Sequence, residues 1–176
     1  MSKSLAAHTD QFVRAPIERV YAAYVDPAVM PKWMGIKGVT NVTGALDRPG
    51  TTFTEVVYGP YRPRAEVLAA EPPVLHAMGG RSIRGISWRW TARFSARDGG
   101  TQIALDEEVV FPAGLISGLL RRSQEGGRME RGARQRLATF AKLVEADENR
   151  GPAATRPTDD RAGAIPTVTD GRVGRP

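Results

Sequence analysis

The carboxylate of Glu107 has the most unusual setting in the sequence. In the segment TQIALDEEVVF it takes the alternate position shared by Ile103, Leu105 and Val109, so a regular strand would aim it among apolar neighbours. A carboxyl group in such surroundings usually has a raised pKa, and it can orient a ligand or transfer a proton. A β-bulge at Glu107-Glu108 would instead turn both acids to solvent. The bulge is slightly favoured, yet Glu107 is the best candidate for a polar group inside a pocket.

Other residues offer weaker prospects for catalysis or metal binding. Glu55 and Tyr58 are further acid–base candidates, and they form no compelling pair with Glu107. His8 and His76 are isolated and lack the spacing of metal ligands. The chain carries no nucleophile elbow, no phosphate-binding loop and no dinucleotide-binding glycine motif. We expect no metal and no cofactor. Catalysis is left open, with a preference for a protein that is not an enzyme.

The segment GISWRWTARFSAR mixes aromatic and basic side chains, as nucleic-acid-binding surfaces do. Such surfaces need aromatic rings and cations on the same exposed face. In a strand, however, Trp88 and Trp90 point away from Arg89, Arg93 and Arg97. We expect the arginines to face solvent and the tryptophans to face the interior, which argues against nucleic-acid binding. The two tryptophans then either fill a core or border a pocket.

The composition is that of one ordinary domain with a basic surface. The chain has 176 residues, no cysteine and a formal net charge of +6. Its size allows a sizeable core, and its charge alone is weak support for a polyanionic partner. The opening segment MSKSLAAHTD has no apolar run long enough for a signal peptide, and no later window suits a bilayer. We expect a cytoplasmic protein without a membrane span.

Apolar periodicity predicts an α+β domain. HTDQFVR is a candidate strand, after which Pro16 opens the helix IERVYAAYVD and PAVMPKWM forms a second short helix. From Ile36 to Phe111 the period changes to two, and turn-forming residues separate six candidate strands: KGVTNVTGA, TTFTEVVYG, RPRAEVLAAE, LHAMGG, GISWRWTARFSAR and TQIALDEEVVF. ARDGGTQ is the clearest hairpin signal. Close succession of strands favours an antiparallel meander.

Helical periodicity returns after Pro112. A short helix is predicted near residues 115–122, then a hinge at Gly126-Gly127, then a long helix ending at Glu145. Its apolar stripe consists of Met129, Ala133, Leu137, Phe140 and Val144. The arginines around it are expected on its solvated side: Arg121, Arg122, Arg128, Arg131, Arg134 and Arg136.

The last segment of the chain differs in composition from the rest. It is rich in Pro, Gly, Thr, Arg and Asp, and its few apolar residues are scattered. Such a segment buries too little surface to offset the entropy lost on ordering. We therefore predict a domain over residues 1–147 and a disordered tail over residues 148–176.

The segment VRAPIERVYAAYVDPAVMPKWMG resembles the opening of helix-grip proteins of the START and birch-pollen-allergen (SRPBCC) superfamily, specifically the bacterial polyketide cyclase/dehydrase and lipid-transport group. The matching features are Ala15-Pro16, Glu18, Val20-Tyr21, Asp26-Pro27 and Trp33. EVLAAEPPVL, DGGTQI and the long helix extend the resemblance over about residues 8–145. It implies a helix-grip fold, in which a curved antiparallel meander sheet wraps around a long C-terminal helix, with two short helices after the first strand.

The resemblance also implies a deep cavity between the sheet and the C-terminal helix, suited to a hydrophobic or aromatic small molecule. We expect Trp88 and Trp90 to border this cavity together with Glu107. The residues predicted to bind the ligand are Trp33, Phe53, Val67, Trp88, Trp90, Leu105, Glu107, Val109, Met129, Ala133 and Leu137.

Three functions fit these expectations. The first is binding or carriage of a lipid or polyketide-like natural product without catalysis. The alternative is a polyketide aromatase/cyclase, for which Glu107 and Tyr58 are weak catalytic candidates. The second alternative is a self-resistance protein that sequesters a toxic natural product. The sequence carries no signal for a particular ligand or oligomeric state.

Overall fold

Seven strands and three helices make up the part of the chain that the computed structural model describes, residues 3–60, 62–81, 85–113 and 127–148. In chain order they are β1 (Lys3–Val13), α1 (Ile17–Tyr24), α2 (Met30–Met34), β2 (Gly38–Thr40), β3 (Thr52–Val56), β4 (Arg64–Glu71), β5 (Leu75–Arg81), β6 (Ser87–Arg97), β7 (Gly100–Phe111) and α3 (Arg128–Glu148).

The strands form one antiparallel sheet in the order β1-β7-β6-β5-β4-β3-β2. β2 to β7 follow one another as a meander, and β1 closes the far side by pairing with β7. The β6–β7 hairpin turns at Asp98 and Gly99, which have φ angles of 47° and 76°. Two positive φ angles are what a tight two-residue hairpin requires. The predicted α+β fold, with its meander and two short helices after the first strand, is confirmed.

The helices cover one face of the sheet. α1 buries Val20, Tyr21 and Tyr24, and α2 buries Met30 and Trp33. α2 ends at Gly35, whose φ of 79° lies in the left-handed region that favours glycine. α3 packs against β1 and α2. Together these elements enclose a hydrophobic core, and a pocket lies beside it between the sheet and α3.

The core between α3, α1 and the sheet is strongly aromatic. Tyr24 packs against Trp33, Phe94 and Phe140, with ring centroids 5.0, 5.2 and 5.7 Å away. The side of α3 that faces this cluster is fully buried and contributes Ala133, Leu137, Phe140, Ala141 and Val144. Aromatic pairs at these separations stabilise a core beyond the area that they bury.

Three details of the strands differ from the predictions. β1 begins at Lys3 rather than His8. β2 is only three residues long, because Asn41 takes a φ of 52° and so leaves the extended conformation. The register of β6 and β7 runs without a shift through Glu107 and Glu108, so the bulge favoured there does not occur. An irregularity lies instead on β4, between Val67 and Ala69.

Several predictions concern residues outside the described ranges. These are the short helix near residues 115–122, the Gly126 half of the hinge, Arg121 and Arg122, and the tail beyond residue 148. The predicted domain boundary at residue 147 falls in the last turn of α3 and stays a prediction. Among the described helices, none has the length and apolar character needed to cross a bilayer.

Candidate functional site

A pocket of about 470 Å³ lies between the inner face of the sheet and α3. Volumes in this range suit small organic ligands. Its wall combines apolar side chains with two acids and two arginines. The lining residues are Met34, Gly35, Ile36, Glu55, Val57, Ile86, Trp88, Trp90, Glu107, Val109, Phe111, Arg128, Met129, Gly132 and Arg136. We call this space the sheet–helix pocket.

Trp88 and Trp90 form the aromatic part of the wall. Both are half-buried, and their ring centroids lie 5.5 Å apart with the planes tilted by 54°. On the other face of β6, the side chains of Arg89, Arg93 and Arg97 are exposed. The predicted separation of tryptophans and arginines is therefore confirmed. Because the indoles face the pocket and the arginines of β6 face away, these two sets of side chains do not share a nucleic-acid-binding surface.

Gly80 makes room for the Trp88 indole. The two residues are paired across β5 and β6, and a Cβ atom at Gly80 would lie 2.9 Å from Cε2 and Cζ2 of Trp88. It would also lie 2.7 Å from the backbone oxygen of Arg64. Real Cβ atoms do not approach other atoms so closely, so a side chain at position 80 has to displace the indole or the backbone. The second glycine of LHAMGG is therefore required by the packing of Trp88.

Glu107 and Arg136 form an ion pair across the pocket wall, from β7 to α3. The Glu107 side chain is 3% exposed and that of Arg136 is 25% exposed. Burial raises the pKa of the Glu107 carboxyl, and the charge and hydrogen bond of Arg136 partly offset that rise. The guanidinium also lies over the Trp90 ring, 5.0 Å from its centroid, in a cation–π contact. This pair satisfies the carboxylate that the sequence left unexplained.

Glu55 is the second acid of the pocket, and its setting is different. It lies on β3, is 7% exposed, and has no hydrogen bond or ion pair through its side chain among the described residues. Burial alone raises the pKa of this carboxyl to about 7. β4, β5 and β6 separate β3 from β7 in the sheet, so the two acids stand on opposite sides of the pocket.

The predicted ligand-binding residues divide into two groups. Five of them line the pocket: Trp88, Trp90, Glu107, Val109 and Met129. The other six do not line it but lie in the core, each at most 3% exposed: Trp33, Phe53, Val67, Leu105, Ala133 and Leu137. These six belong to the part of the interior that α1, α2 and α3 fill with side chains.

The side of α3 that faces the pocket differs from the predicted side. Met129, Gly132 and Arg136 face the pocket, whereas Ala133 and Leu137 face the core. Assigning Arg136 to the solvated side was wrong, because its side chain is 25% exposed and pairs with Glu107 in the pocket wall. Arg128 also lines the pocket but is exposed, as predicted. A long arginine can bury its aliphatic stem and place its charge against an inward carboxylate. The inward position of Glu107 was the available signal that a cation had to lie opposite.

Tyr58 and the two histidines lie outside the pocket. Tyr58 is 77% exposed, with the Lys37 ammonium 4.6 Å from its ring centroid. His76 is buried, its Nε2 lies 2.9 Å from the Leu46 carbonyl oxygen, and burial lowers its pKa. The exposed His8 pairs with Asp106 and Asp10. Within the described ranges, no three potential ligands cluster to hold a metal ion.

Comparisons with known proteins agree with this geometry. A family model described as activator of Hsp90 ATPase homolog 1-like protein matches residues 14–145. A search of the curated proteins finds no match. Among solved structures, the chain is similar to an uncharacterized protein from Rhizobium leguminosarum, with 22% identity, a TM-score of 0.61, and coverage of 83% of this chain and 97% of that one.

Two further structures show how widely the fold is shared. A protein of unknown function from Staphylococcus aureus has 10% identity and a TM-score of 0.68, with 84% of this chain and 98% of that one covered. Ara h 8.0201 has 12% identity and a TM-score of 0.58, with 82% and 99% covered. At these identities the likeness concerns the fold, which is the helix-grip fold expected from the sequence.

Proposed function

Because the chain belongs to the family of activator of Hsp90 ATPase homolog 1-like proteins, within the helix-grip superfamily, we propose that it binds a hydrophobic or aromatic small molecule in the sheet–helix pocket. The observation that carries this proposal is the Trp88–Trp90 pair, which lies half-buried at a pocket of about 470 Å³. Rings that only filled the core would be as buried as Trp33, which is 3% exposed.

The energy of binding comes from apolar surface removed from water. About 100 Å² of buried apolar surface contributes roughly 2.5 kcal/mol before the entropic cost of association is subtracted. Ile36, Val57, Val109 and Met129 supply such surface on several sides. Methionine adapts its shape to a ligand at little cost, which suits a pocket that accepts a class of molecules.

Titration with the neutral fluorescent probe N-phenyl-naphthylamine tests the proposal. Gly132 lines the pocket, and only the flexible end of Arg136, 3.3 Å away, lies near its Cβ position. Gly132→Leu therefore fills the pocket, and we expect it to weaken probe binding about tenfold or more. Gln135→Leu adds the same side chain on the exposed face of α3 and serves as control. Equal probe binding by both variants would refute the proposal.

Native mass spectrometry provides an independent test in the protein's own host. A small molecule that co-purifies with the wild-type chain and is lost from Gly132→Leu supports binding in the pocket. A molecule retained by both variants places the binding elsewhere on the protein. Sequestration of a toxic natural product for self-resistance would use the same contacts, and a biosynthetic gene cluster beside this gene would favour it.

A polyketide aromatase/cyclase is a second candidate function. Its acid–base residue would be Glu55 rather than Glu107. A general acid or base works best with a pKa near the working pH, and burial raises the pKa of Glu55 to about 7. Glu107 is already engaged by Arg136. A linear poly-β-ketone substrate that the wild type cyclises and Glu55→Gln does not would support catalysis. Equal yields from the two proteins would reject it.

A further inference from the structure

Within the described part of the chain, the buried Glu55 carboxyl has no hydrogen-bonding partner and no cation beside it. It is 7% exposed, it lines the sheet–helix pocket, and its side chain contacts no donor among the described residues. A buried carboxylate is stable only when hydrogen-bond donors or a cation satisfy it. Glu107 meets this rule through Arg136, so Glu55 is the exception within the same pocket.

The partner of Glu55 is not supplied by the other charged wall. Four strand-to-strand steps separate β3 from β7, which is about 19 Å measured along the sheet. Burial is the cause of the raised pKa of Glu55, in contrast to Glu107, where the charge of Arg136 partly offsets the rise. The Trp88–Trp90 pair on β6 lies between the two acids in the sheet order. Within the described ranges no donor reaches the Glu55 carboxyl, so a molecule bound in the pocket is placed to supply one.

The balance of donors and acceptors indicates which polar group that occupant presents. The described wall contains several donors, namely two indole N–H groups and the guanidinium groups of Arg128 and Arg136. Its carboxyl acceptors are Glu107, which is taken, and Glu55. Arg136 is engaged by the same ion pair as Glu107, so Glu55 is the carboxyl of the described wall that remains to accept from a donor on the ligand. Hydrogen bonds to an ionised acceptor are also the stronger kind.

We propose that the ligand of the sheet–helix pocket is an aromatic molecule with a hydrogen-bond-donating group, a hydroxyl or a protonated amine, which binds the Glu55 carboxylate while the ring stacks near Trp88 and Trp90. The inference rests on the proposed function and adds the chemical class of the ligand. Binding the donor stabilises the ionised form of Glu55, so complex formation releases a proton at pH values below about 7.

Matched naphthalene probes test this assignment. β-Naphthol carries the donor, and β-naphthyl methyl ether has the same ring with the donor removed by methylation. At about pH 8, we expect the wild type to bind the naphthol about tenfold or more tightly than the ether, as a hydrogen bond to a charged group predicts. Glu55→Leu should remove this preference and leave the affinity for the ether unchanged or improved. Glu55→Gln keeps the shape of the side chain and should reduce the preference for the naphthol over the ether. Glu108→Gln lies at an exposed position and should leave this preference unchanged.

Two additional probes answer two further questions. One compares an ammonium donor with a hydroxyl donor, and the other tests whether Glu55 binds an acceptor on the ligand instead of a donor. β-Naphthylmethylamine is protonated at this pH, and tighter binding of the amine than of the naphthol identifies an ammonium as the preferred donor. β-Acetonaphthone carries only an acceptor. If its affinity rises as the pH falls below about 7, and Glu55→Leu abolishes that rise, then Glu55 donates rather than accepts and the inference is overturned.

The remaining outcomes distinguish this inference from the proposed function. Equal affinity of the wild type for the naphthol and the ether, with Gly132→Leu weakening both, overturns the donor assignment and leaves pocket binding in place. Failure of all four probes and of N-phenyl-naphthylamine to bind contradicts the proposed function itself. A naphthol preference that persists in Glu55→Leu shows that another group accepts the donor, which also overturns the inference.

Discussion

The Arg136 guanidinium donates a hydrogen bond to the Glu107 carboxylate, and this contact joins α3 to β7 at the wall of the pocket. The two partners are unequally buried, with side-chain exposures of 25% for Arg136 and 3% for Glu107. An arginine that loses its partner here can still turn toward water, whereas the carboxylate cannot. Removing Arg136 should therefore cost more stability than removing the charge of Glu107.

The asymmetry predicts different effects of the two single substitutions. Arg136→Met leaves Glu107 buried without a cation and should lower the free energy of unfolding by about 3–5 kcal/mol. Glu107→Gln keeps an acceptor for Arg136 and should cost clearly less, about 1–2 kcal/mol. Urea unfolding at neutral pH measures both. The double variant Glu107→Leu with Arg136→Met should regain most of the loss, and additive losses would show that the pair is not coupled.

Glu55 gives the stability a definite pH dependence. The folded protein has a pKa of about 7 at Glu55, against 4.5 for an unperturbed glutamate, so the folded state holds the proton more tightly. Stability should fall as the pH rises from about 4.5 to 7 and level off above that, a total loss of about 3 kcal/mol. Glu55→Gln should remove this loss and be more stable than the wild type at about pH 8.

Thermal or urea unfolding of Glu55→Gln across this pH range measures the effect. Glu108→Gln is the control, because that side chain is exposed and its removal should leave the slope unchanged. A pH profile of Glu55→Gln that parallels the wild type would mean that Glu55 finds a partner in solution. Such a result would also weaken the assignment of a donor-bearing ligand.

His76 affects the pH dependence of stability in the opposite direction to Glu55. Burial lowers its pKa below 6.5, so below that pH the unfolded chain takes up a proton that the folded protein resists. Stability should therefore be complete above about pH 6.5 and decline on acidification. The Glu55→Gln background isolates the effect, since the Glu55 slope is absent there. Adding His76→Gln, which retains a donor for the Leu46 carbonyl oxygen, should flatten the acid limb. An unchanged limb would assign the acid sensitivity to other groups.

Gly80→Ala tests how Trp88 is held. The new Cβ atom overlaps with the indole and with the Arg64 carbonyl oxygen, so we expect a loss of about 1–3 kcal/mol in unfolding free energy. Displacement of the indole should also change the tryptophan fluorescence and weaken binding of N-phenyl-naphthylamine. Gly38→Ala is the matched control on β2, because its Cβ atom would meet only Val56, at 3.9 Å. Equal effects of the two substitutions would show that the close approach at Gly80 does not constrain Trp88.

The sequence predicts the sheet better than it predicts the site. Alternation along one strand places Trp88 inward and Arg89 outward, because that pattern depends only on local backbone geometry. The same parity applied to TTFTEVVYG puts Glu55 on the side of the buried Phe53, so its inward position was visible in the sequence. The pairing of Glu107 with Arg136 was not visible. It depends on the rotation of α3 against the sheet, which the charge pattern of the helix suggested wrongly.

Two glycines influence the width of the sheet–helix pocket: Gly132 in its wall and Gly80 behind the Trp88 indole. At Gly132 on α3, only the flexible end of Arg136 lies near the Cβ position, at 3.3 Å, so a side chain added there takes up room in the pocket and meets the guanidinium that binds Glu107. Gly80 lies behind Trp88, so an atom added there moves a whole ring instead. The core residues around Tyr24 and Phe140 take no part in either change. Substitutions at these two positions can therefore change the size of molecule that the pocket admits, although at Gly80 the overlap with Trp88 and the Arg64 carbonyl oxygen also lowers the stability.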